Sequence, residues 1–310
     1  MWDKPYDPPR LTPIETADLI GAAVDKGEPF SFVRLGDGEF AVLGIERESP
    51  AAHTERSLTI WFGPAHPPRP RLLEFAEELR EAVRNASLVG IPRVSRQQKG
   101  ALVSYVRPVF ENQRLHAAHT LYADCGAHNF FQYMHALDPW LRGREFLGLI
   151  TCRELAAPVA ETFQVKTVRW HRIPADFLTS QTVARPAHFP EVYEQLRAEI
   201  RPPSRGALYL VGAGVFGKVY CEWIRRRGGI AIDIGSVFDG WANVRVRDRL
   251  ERRREIHTLE RYRMPLERSA RIAAFRELIR LYWSDSVPGE EFEFLLAERN
   301  SPAVRRLPAA

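Results

Sequence analysis

The chain has 310 residues, of which 45% are hydrophobic and 27% charged, with a formal net charge of +5. This is a globular composition, and a core of this size needs no disulfide bonds for stability. The three cysteines, Cys125, Cys152 and Cys221, are an odd number without metal-type spacing, so we expect reduced thiols in a cytoplasmic protein. No apolar segment is long enough for a transmembrane helix, which excludes an integral membrane protein of that kind.

Helix and strand signals alternate from residue 12 to about residue 245. Thr12-Pro13-Ile14-Glu15 forms a capping box with proline at the first helical position, and Gly27 is a helix stop. Seven segments have the composition of strands, and helical segments separate most of them: 30–35, 87–91, 120–123, 146–150, 165–170, 207–211 and 230–234. The alternation predicts a Rossmann-like three-layer α/β sandwich with a mostly parallel sheet.

The sequence changes character at about Arg245, where an arginine-rich segment begins. Glutamates interleave with these arginines, and no nucleic-acid-binding motif accompanies them. The pattern therefore favours a solvated helix face over a nucleic-acid surface, and we expect no nucleic-acid partner. We predict a core over residues 1–245 and an arginine-rich helical C-terminal extension over 246–310.

The first predicted strand ends in Gly36-Asp37-Gly38-Glu39. Ligands of open parallel sheets bind at the carboxyl ends of the strands. In extended backbone the two carboxylates would leave the same face, and the two glycines would let a large ligand approach. Paired carboxylates suit Mg²⁺ or Mn²⁺, although a glycine turn with two solvated acids is the alternative. Arg34 needs an anionic partner, either these acids or a phosphate.

A second glycine motif follows the sixth predicted strand. Gly212, Gly214 and Gly217 have the spacing Gly-x-Gly-x-x-Gly, a helix is predicted from about Val215, and Asp233 lies about twenty residues further on. This is the spacing of a dinucleotide-binding fingerprint. An NAD(P)-dependent Rossmann oxidoreductase is therefore an alternative function.

Three features count against the oxidoreductase. The motif falls in the last third of the core, which leaves no room for a substrate domain after it. Lys218 directly follows the third glycine, where a cation suits a diphosphate. The turn from Asp233 through Ser236 to Asp239 also differs from the usual loop after a ribose-binding acid.

Taken together, these motifs resemble those of the bacterial glycosyltransferases of the GT-D fold, which were first grouped as a domain of unknown function. Residues 31–40, 210–218 and 228–241 carry the resemblance, which covers roughly residues 12–245. It implies a nucleotide-diphosphate sugar donor, typically UDP-linked, and a divalent cation at a D-x-E motif, here Asp37-Gly38-Glu39. It also implies a glycan or glycoprotein acceptor, as in surface-polysaccharide biosynthesis.

The resemblance further implies that both glycine motifs and the turn after the last strand face one cleft. On chemical grounds we expect Arg34 and Lys218 to assist the diphosphate, and the residues of that turn to contact sugar or ribose hydroxyls. A base for the acceptor hydroxyl would be a carboxylate or histidine. His128 and His171 are candidates, although a histidine without such a role is the commoner case. Trp61 is a candidate for stacking on a sugar.

The expected donor-binding set is Arg34, Gly36, Gly38, Gly212, Gly214, Gly217, Lys218, Asp233, Ser236 and Asp239. The expected metal ligands are Asp37 and Glu39, and these two with His128 are the expected catalytic residues. A nucleotide-binding partner protein organised around the arginine-rich tail is a third, non-enzymatic hypothesis. A homo-oligomer is compatible with all three hypotheses.

Overall fold

The computed structural model describes residues 4–94, 97, 102–133, 135–177, 186–244 and 258–263. Within them, one sheet contains seven strands, which confirms the predicted strand segments with small shifts at their ends. The strands are β1 Phe30–Arg34, β2 Leu88–Ile91, β3 Leu121–Asp124, β4 Phe146–Thr151, β5 Thr167–Arg172, β6 Leu208–Gly212 and β7 Ile230–Asp233. All neighbours are parallel, in the order β3-β2-β1-β7-β6-β4-β5.

Helices cover both faces of this sheet. They are α1 Pro13–Lys26, α2 Asp37–Leu43, α3 Ala51–Phe62, α4 Arg69–Asn85, α5 Val106–Asn112, α6 Ala127–Tyr133, α7 Leu137–Leu141, α8 Ala156–Phe163, α9 Tyr193–Glu199, α10 Gly214–Arg226 and α11 Val237–Trp241. Single turns of other helix types occur at Leu102–Ser104, His188–Val192 and Glu260–Arg263. The predicted three-layer α/β sandwich is confirmed.

The first helix begins and ends where the sequence predicts. Thr12 Oγ1 accepts a hydrogen bond from the Glu15 amide, and Glu15 Oε2 accepts one from the Thr12 amide. This reciprocal pair satisfies two N–H groups that the first helical turn leaves without partners. At the other end, Gly27 adopts a φ of 64°, a left-handed conformation that costs glycine little.

The core lies in two clusters, one on each face of the sheet. One contains Phe40, Phe75 and Phe216 from α2, α4 and α10, and the other contains Phe131 and Trp140 from α6 and α7. The strands β1, β2, β6 and β7 are almost wholly buried, as expected for a parallel sheet covered on both faces, whereas the edge strand β5 is largely exposed. This packing fixes the strand ends that carry the polar residues.

The topology places a crevice beside β1. The chain runs outward through β1, β2 and β3, then crosses to β4 in the other half of the sheet and returns through β6 to β7 next to β1. Open parallel sheets bind ligands where the strand order reverses in this way. The Gly36-Asp37-Gly38-Glu39 segment follows β1, and the second glycine motif follows β6.

Part of the predicted C-terminal extension packs on the core. Leu259 and Tyr262 are buried, and the Tyr262 hydroxyl donates a 2.9 Å hydrogen bond to Gln132 Oε1. The Trp241 indole N–H donates to the same oxygen, also at 2.9 Å. The rest of the predicted extension lies outside the described residues. No helix among those described is both long and apolar enough to cross a membrane.

Candidate active site

A cleft opens at the carboxyl ends of β1, β4, β6 and β7. Its lining contains twelve of the predicted site residues: Arg34, Gly36, Asp37, Gly38, Glu39, His128, Gly212, Gly214, Lys218, Asp233, Ser236 and Asp239. Gly217 lies behind the cleft, where a Cβ would be 3.1 Å from Val211 Cγ1. It therefore allows α10 to pack closely against β6.

Four charged side chains form a buried cluster at the floor of the cleft, here called the charge quartet: Arg34, Glu39, Lys218 and Asp233. Lys218 Nζ lies 2.7 Å from Glu39 Oε1 and 2.9 Å from Asp233 Oδ2. The same ammonium donates a hydrogen bond to the Gly214 carbonyl at 2.9 Å, so three oxygens lie within 3 Å of it. Arg34 Nη2 lies 3.2 Å from Asp233 Oδ1. The quartet has no net charge.

Two members of the quartet, Asp233 and Lys218, are held in their charged forms by the residues around them. Burial works to raise the pKa of Asp233, but Arg34 and Lys218 outweigh it and hold that pKa below its ordinary value. Burial also works to lower the pKa of Lys218, and the carboxylates of Asp233 and Glu39 raise it above its ordinary value. Buried charges persist only when paired in this manner.

The D-x-E segment has a different conformation from the predicted one. Extended backbone was expected to put both carboxylates on one face, but α2 begins at Asp37, so the two side chains are about 200° apart around the helix. Asp37 is exposed in the cleft mouth, whereas Glu39 is only 8% exposed. Glu39 Oε2 accepts a 2.9 Å hydrogen bond from the Gly36 amide, as a residue at the third helical position often does.

Arg34 links three strand ends, with a partner that the sequence did not indicate. The expected partners were Asp37, Glu39 or a phosphate. Instead, the guanidinium donates hydrogen bonds to the side-chain carboxylate and to the main-chain carbonyl of Asp233. Its Nη1 also donates to the Cys125 carbonyl at 2.9 Å and lies 2.6 Å from Nδ1 of His128.

The two histidine candidates are both buried. His128 is 3% exposed and lies among the partners of Arg34. His171 is on β5, where its ring stacks against Tyr209 with ring centroids 6.2 Å apart, and it is not among the cleft-lining residues. A role as the base remains a prediction for His128, whereas His171 is outside the cleft.

Trp61 lies between the two glycine motifs. A Cβ on Gly38 would be 2.9 Å from Trp61 Nε1, and a Cβ on Gly214 would overlap the six-membered ring of the same indole. Gly214 also has a φ of +53°, which disfavours other residues. The glycines at these positions therefore make room for Trp61, in addition to leaving the backbone accessible from the cleft.

Several cleft residues were missed by the sequence analysis: Thr151, Cys152, Arg153, Pro174, Asp176 and His188. Arg153 is the most informative, because its Nε and Nη2 both lie 2.9 Å from Asp239 Oδ1. It follows β4, so the rule that placed the other candidates at strand ends also applies to it.

The described lining residues of the cleft carry an excess of negative charge. Among the described lining residues, the cations are Arg34, Arg153 and Lys218, and the anions are Asp37, Glu39, Asp176, Asp233 and Asp239. With neutral histidines, the balance of three cations and five anions is −2. This balance by itself disfavours the binding of a bare anion.

The oxidoreductase alternative requires a free acidic group for the ribose, and Asp233 does not provide one. Its carboxylate is 2% exposed and contacts Arg34 and Lys218. In the dinucleotide-binding fingerprint the corresponding acid receives the ribose hydroxyls. The geometry therefore disfavours this alternative, and it also disfavours the expected contact of Asp233 with sugar hydroxyls.

A parallel α/β sheet with a glycine-loop cleft at its switch point is the arrangement of Rossmann-like ligand-binding domains. Within this class, the chain matches the family model described as the GT-D fold-like domain over residues 11–241, about three quarters of its length. The chain therefore belongs to the GT-D fold-like family, which confirms the predicted resemblance and the assignment to the glycosyltransferases.

The solved structures that are similar to the chain include the following two. One, described as a new glycosyltransferase (DUF1792) from Streptococcus sanguinis, is 15% identical over 72% of this chain and 79% of that chain, with a TM-score of 0.46. The other, described as a distinct glycosyltransferase fold of the highly conserved domain of unknown function 1792, is 14% identical over 75% and 78%, with a TM-score of 0.45. No curated protein sequence matches the chain significantly.

Proposed function

We propose that the chain moves a sugar from a nucleotide-diphosphate sugar, with UDP as the expected carrier, to a hydroxyl of a glycan or glycoprotein. The observation that carries this proposal is the cleft at the switch point, where a glycine loop and the first turn of α10 adjoin an acidic rim. Amide groups at a helix start suit a phosphate. The excess of two carboxylates matches a donor that arrives with a divalent cation.

Asp37 is the better placed of the two expected metal ligands. Its side chain is exposed in the cleft mouth, while both oxygens of Glu39 already accept hydrogen bonds from Lys218 and Gly36. Mg²⁺ and Mn²⁺ commonly use one or two protein carboxylates and complete their shell with water and phosphate oxygens. The residues present therefore fit such an ion, with Asp37 as its protein ligand and Glu39 holding the α2 start in place.

In the proposed transfer, the bond between the anomeric carbon and the diphosphate breaks, and its electron pair stays with the diphosphate. The acceptor oxygen bonds to the anomeric carbon and loses its proton to a base or to water. The divalent ion, when bound, stabilises charge on the leaving diphosphate. The chain's own part is to hold the glycine loop and α2 rigid through the charge quartet, so that groups facing the leaving oxygen need no rearrangement.

A cytoplasmic location belongs to the same proposal. Cys152 and Cys221 are free cysteines in the structure. Free thiols are ordinary in a reducing compartment.

A thermal-shift screen tests the donor class. UDP-, GDP-, ADP- and dTDP-linked sugars would be added with and without Mn²⁺, alongside NAD(P)H. A donor at 100 times its dissociation constant adds about 2.7 kcal/mol of stability, or roughly 5–10 °C in Tm. We expect such a shift for one nucleotide class and only with Mn²⁺. A metal-independent shift with NAD(P)H and none with any sugar nucleotide would refute the proposal.

A further inference from the structure

The proposed donor carries a diphosphate, and two of the cations around the cleft are already committed to other partners. Lys218 is 3% exposed and gives its three donors to Glu39, Asp233 and Gly214. Arg34 gives its donors to Asp233, to the Cys125 carbonyl and to His128. Using Lys218 for a phosphate would leave the buried Glu39 without its cation, and using Arg34 would remove one of the two cations of Asp233; both changes are costly. The expected diphosphate roles of Lys218 and Arg34 are therefore disfavoured.

Arg153 differs from them in both position and pairing. Thr151, two residues earlier, is in register with Gly212 on the neighbouring strand, so Arg153 follows β4 close to the start of the glycine loop. Its side chain is 14% exposed, against 3% for Lys218 and 13% for Arg34, so its pairing rather than its exposure distinguishes it from Arg34. Among the described lining residues it is the cation outside the charge quartet.

The geometry of the contact between Arg153 and Asp239 would also allow a phosphate to replace the Asp239 carboxylate. Both Nε and Nη2 bind a single oxygen, Asp239 Oδ1, at 2.9 Å. A guanidinium has five N–H donors in a planar fork, and its preferred partners present two oxygens to it. A phosphate provides that pair of oxygens and a greater charge than a carboxylate does.

We infer that Arg153 binds the diphosphate of the donor, and that Asp239 holds the guanidinium over the cleft until the donor arrives. This inference rests on the proposed function, because it names the residue that would contact the phosphates in it. Asp239 then competes with the diphosphate for the same donors. Removing the Asp239 carboxylate should therefore strengthen diphosphate binding. This role differs from the contact with a sugar or ribose hydroxyl that the sequence led us to expect for Asp239.

Two variants with opposite expected effects test the inference. The dissociation constants of UDP and of inorganic pyrophosphate would be measured by calorimetry at fixed Mn²⁺ concentration for the wild type, Arg153→Gln and Asp239→Asn. Losing charge-assisted hydrogen bonds should weaken both ligands about tenfold to a hundredfold in Arg153→Gln. Asp239→Asn should bind pyrophosphate at least as tightly as the wild type. Arg172→Gln, an exposed arginine on β5, is the matched control and should bind like the wild type.

The alternatives give different results. If the wild type binds UDP with Mn²⁺ and Arg153→Gln binds it equally well, the inference is wrong while the proposed function stands. If Arg153→Gln and Asp239→Asn weaken binding alike, the pair is structural and the inference is also wrong. If the wild type binds no nucleoside diphosphate, the proposed function fails and the inference fails with it. Binding of Mn²⁺ alone, followed by its electron paramagnetic resonance signal, should not weaken in Arg153→Gln.

Discussion

Replacing Lys218 by methionine tests whether the charge quartet holds the cleft together. The ammonium contacts two carboxylates from different parts of the chain, Glu39 at the start of α2 and Asp233 at the end of β7. Methionine keeps the apolar stem and removes the charge, so Glu39 loses its cation while Asp233 keeps only Arg34. Breaking a buried ion pair from one side costs about 3–5 kcal/mol, a large part of the 5–15 kcal/mol that stabilises a typical domain.

Urea unfolding followed by circular dichroism measures this cost. Lys166→Met is the matched control, because Lys166 lies 2.6 Å from Glu145 with both side chains mostly exposed, and such surface pairs contribute about 0–1 kcal/mol. The double variant Lys218→Met/Glu39→Gln restores charge balance and should recover at least about 1 kcal/mol of the loss. A Lys218→Met variant no less stable than Lys166→Met would refute the account of the quartet.

The pH dependence of the same difference provides an independent check. The raised pKa of Lys218 means that its stabilisation is complete below the ordinary value of 10.5 and is lost as pH rises through the higher folded value. The lowered pKa of Asp233 means that its stabilisation is present above 3.8 and is lost as pH falls through the lower folded value. The stability difference between wild type and Lys218→Met should therefore be constant from about pH 5 to pH 9 and shrink in strong alkali.

Two further substitutions probe the glycine loop and the C-terminal segment. Gly214→Ala should destabilise the protein more than Gly63→Ala. Both glycines have positive φ, but a Cβ at residue 63 meets open space while one at residue 214 overlaps Trp61. Equal losses of stability in chemical unfolding would contradict this. Gln132→Leu leaves the buried indole N–H of Trp241 and the buried hydroxyl of Tyr262 without an acceptor. This substitution should lower the free energy of unfolding by about 2–4 kcal/mol in the same assay. An unchanged stability would mean that residues 258–263 contribute little to the core.

The sequence predicted the strands well because most of them are short apolar runs between turn signals. It also predicted that the glycine motifs would meet, since parallel strands end on the same edge of the sheet. The helix α3 was not predicted; its N-cap is Pro50, with no side-chain hydrogen bond. Trp61 lies in this helix, and its position between two glycines could not be foreseen from the sequence.

The pairing of charges was the least predictable part of the site. Arg34 and Asp233 are 199 residues apart, and Arg153 and Asp239 are 86 apart, so neither pair follows from local spacing. The orientation of the two D-x-E carboxylates was predicted wrongly for a local reason. Glu39 caps the start of α2, and two helical residues that are two positions apart lie on different faces of the helix. Arg153, in contrast, could have been found by applying the strand-end rule to β4.

Turnover of the Asp37→Asn variant tests the central claim most directly. Release of UDP from a UDP-linked sugar that binds the wild type would be measured with Mn²⁺, with Asp25→Asn on the exposed face of α1 as the control. Removing one group that stabilises the charge of the leaving diphosphate typically costs about a hundredfold or more in rate. We expect that loss in Asp37→Asn, with unfolding unchanged and the control fully active. Undiminished, Mn²⁺-dependent release by Asp37→Asn would contradict the proposed site.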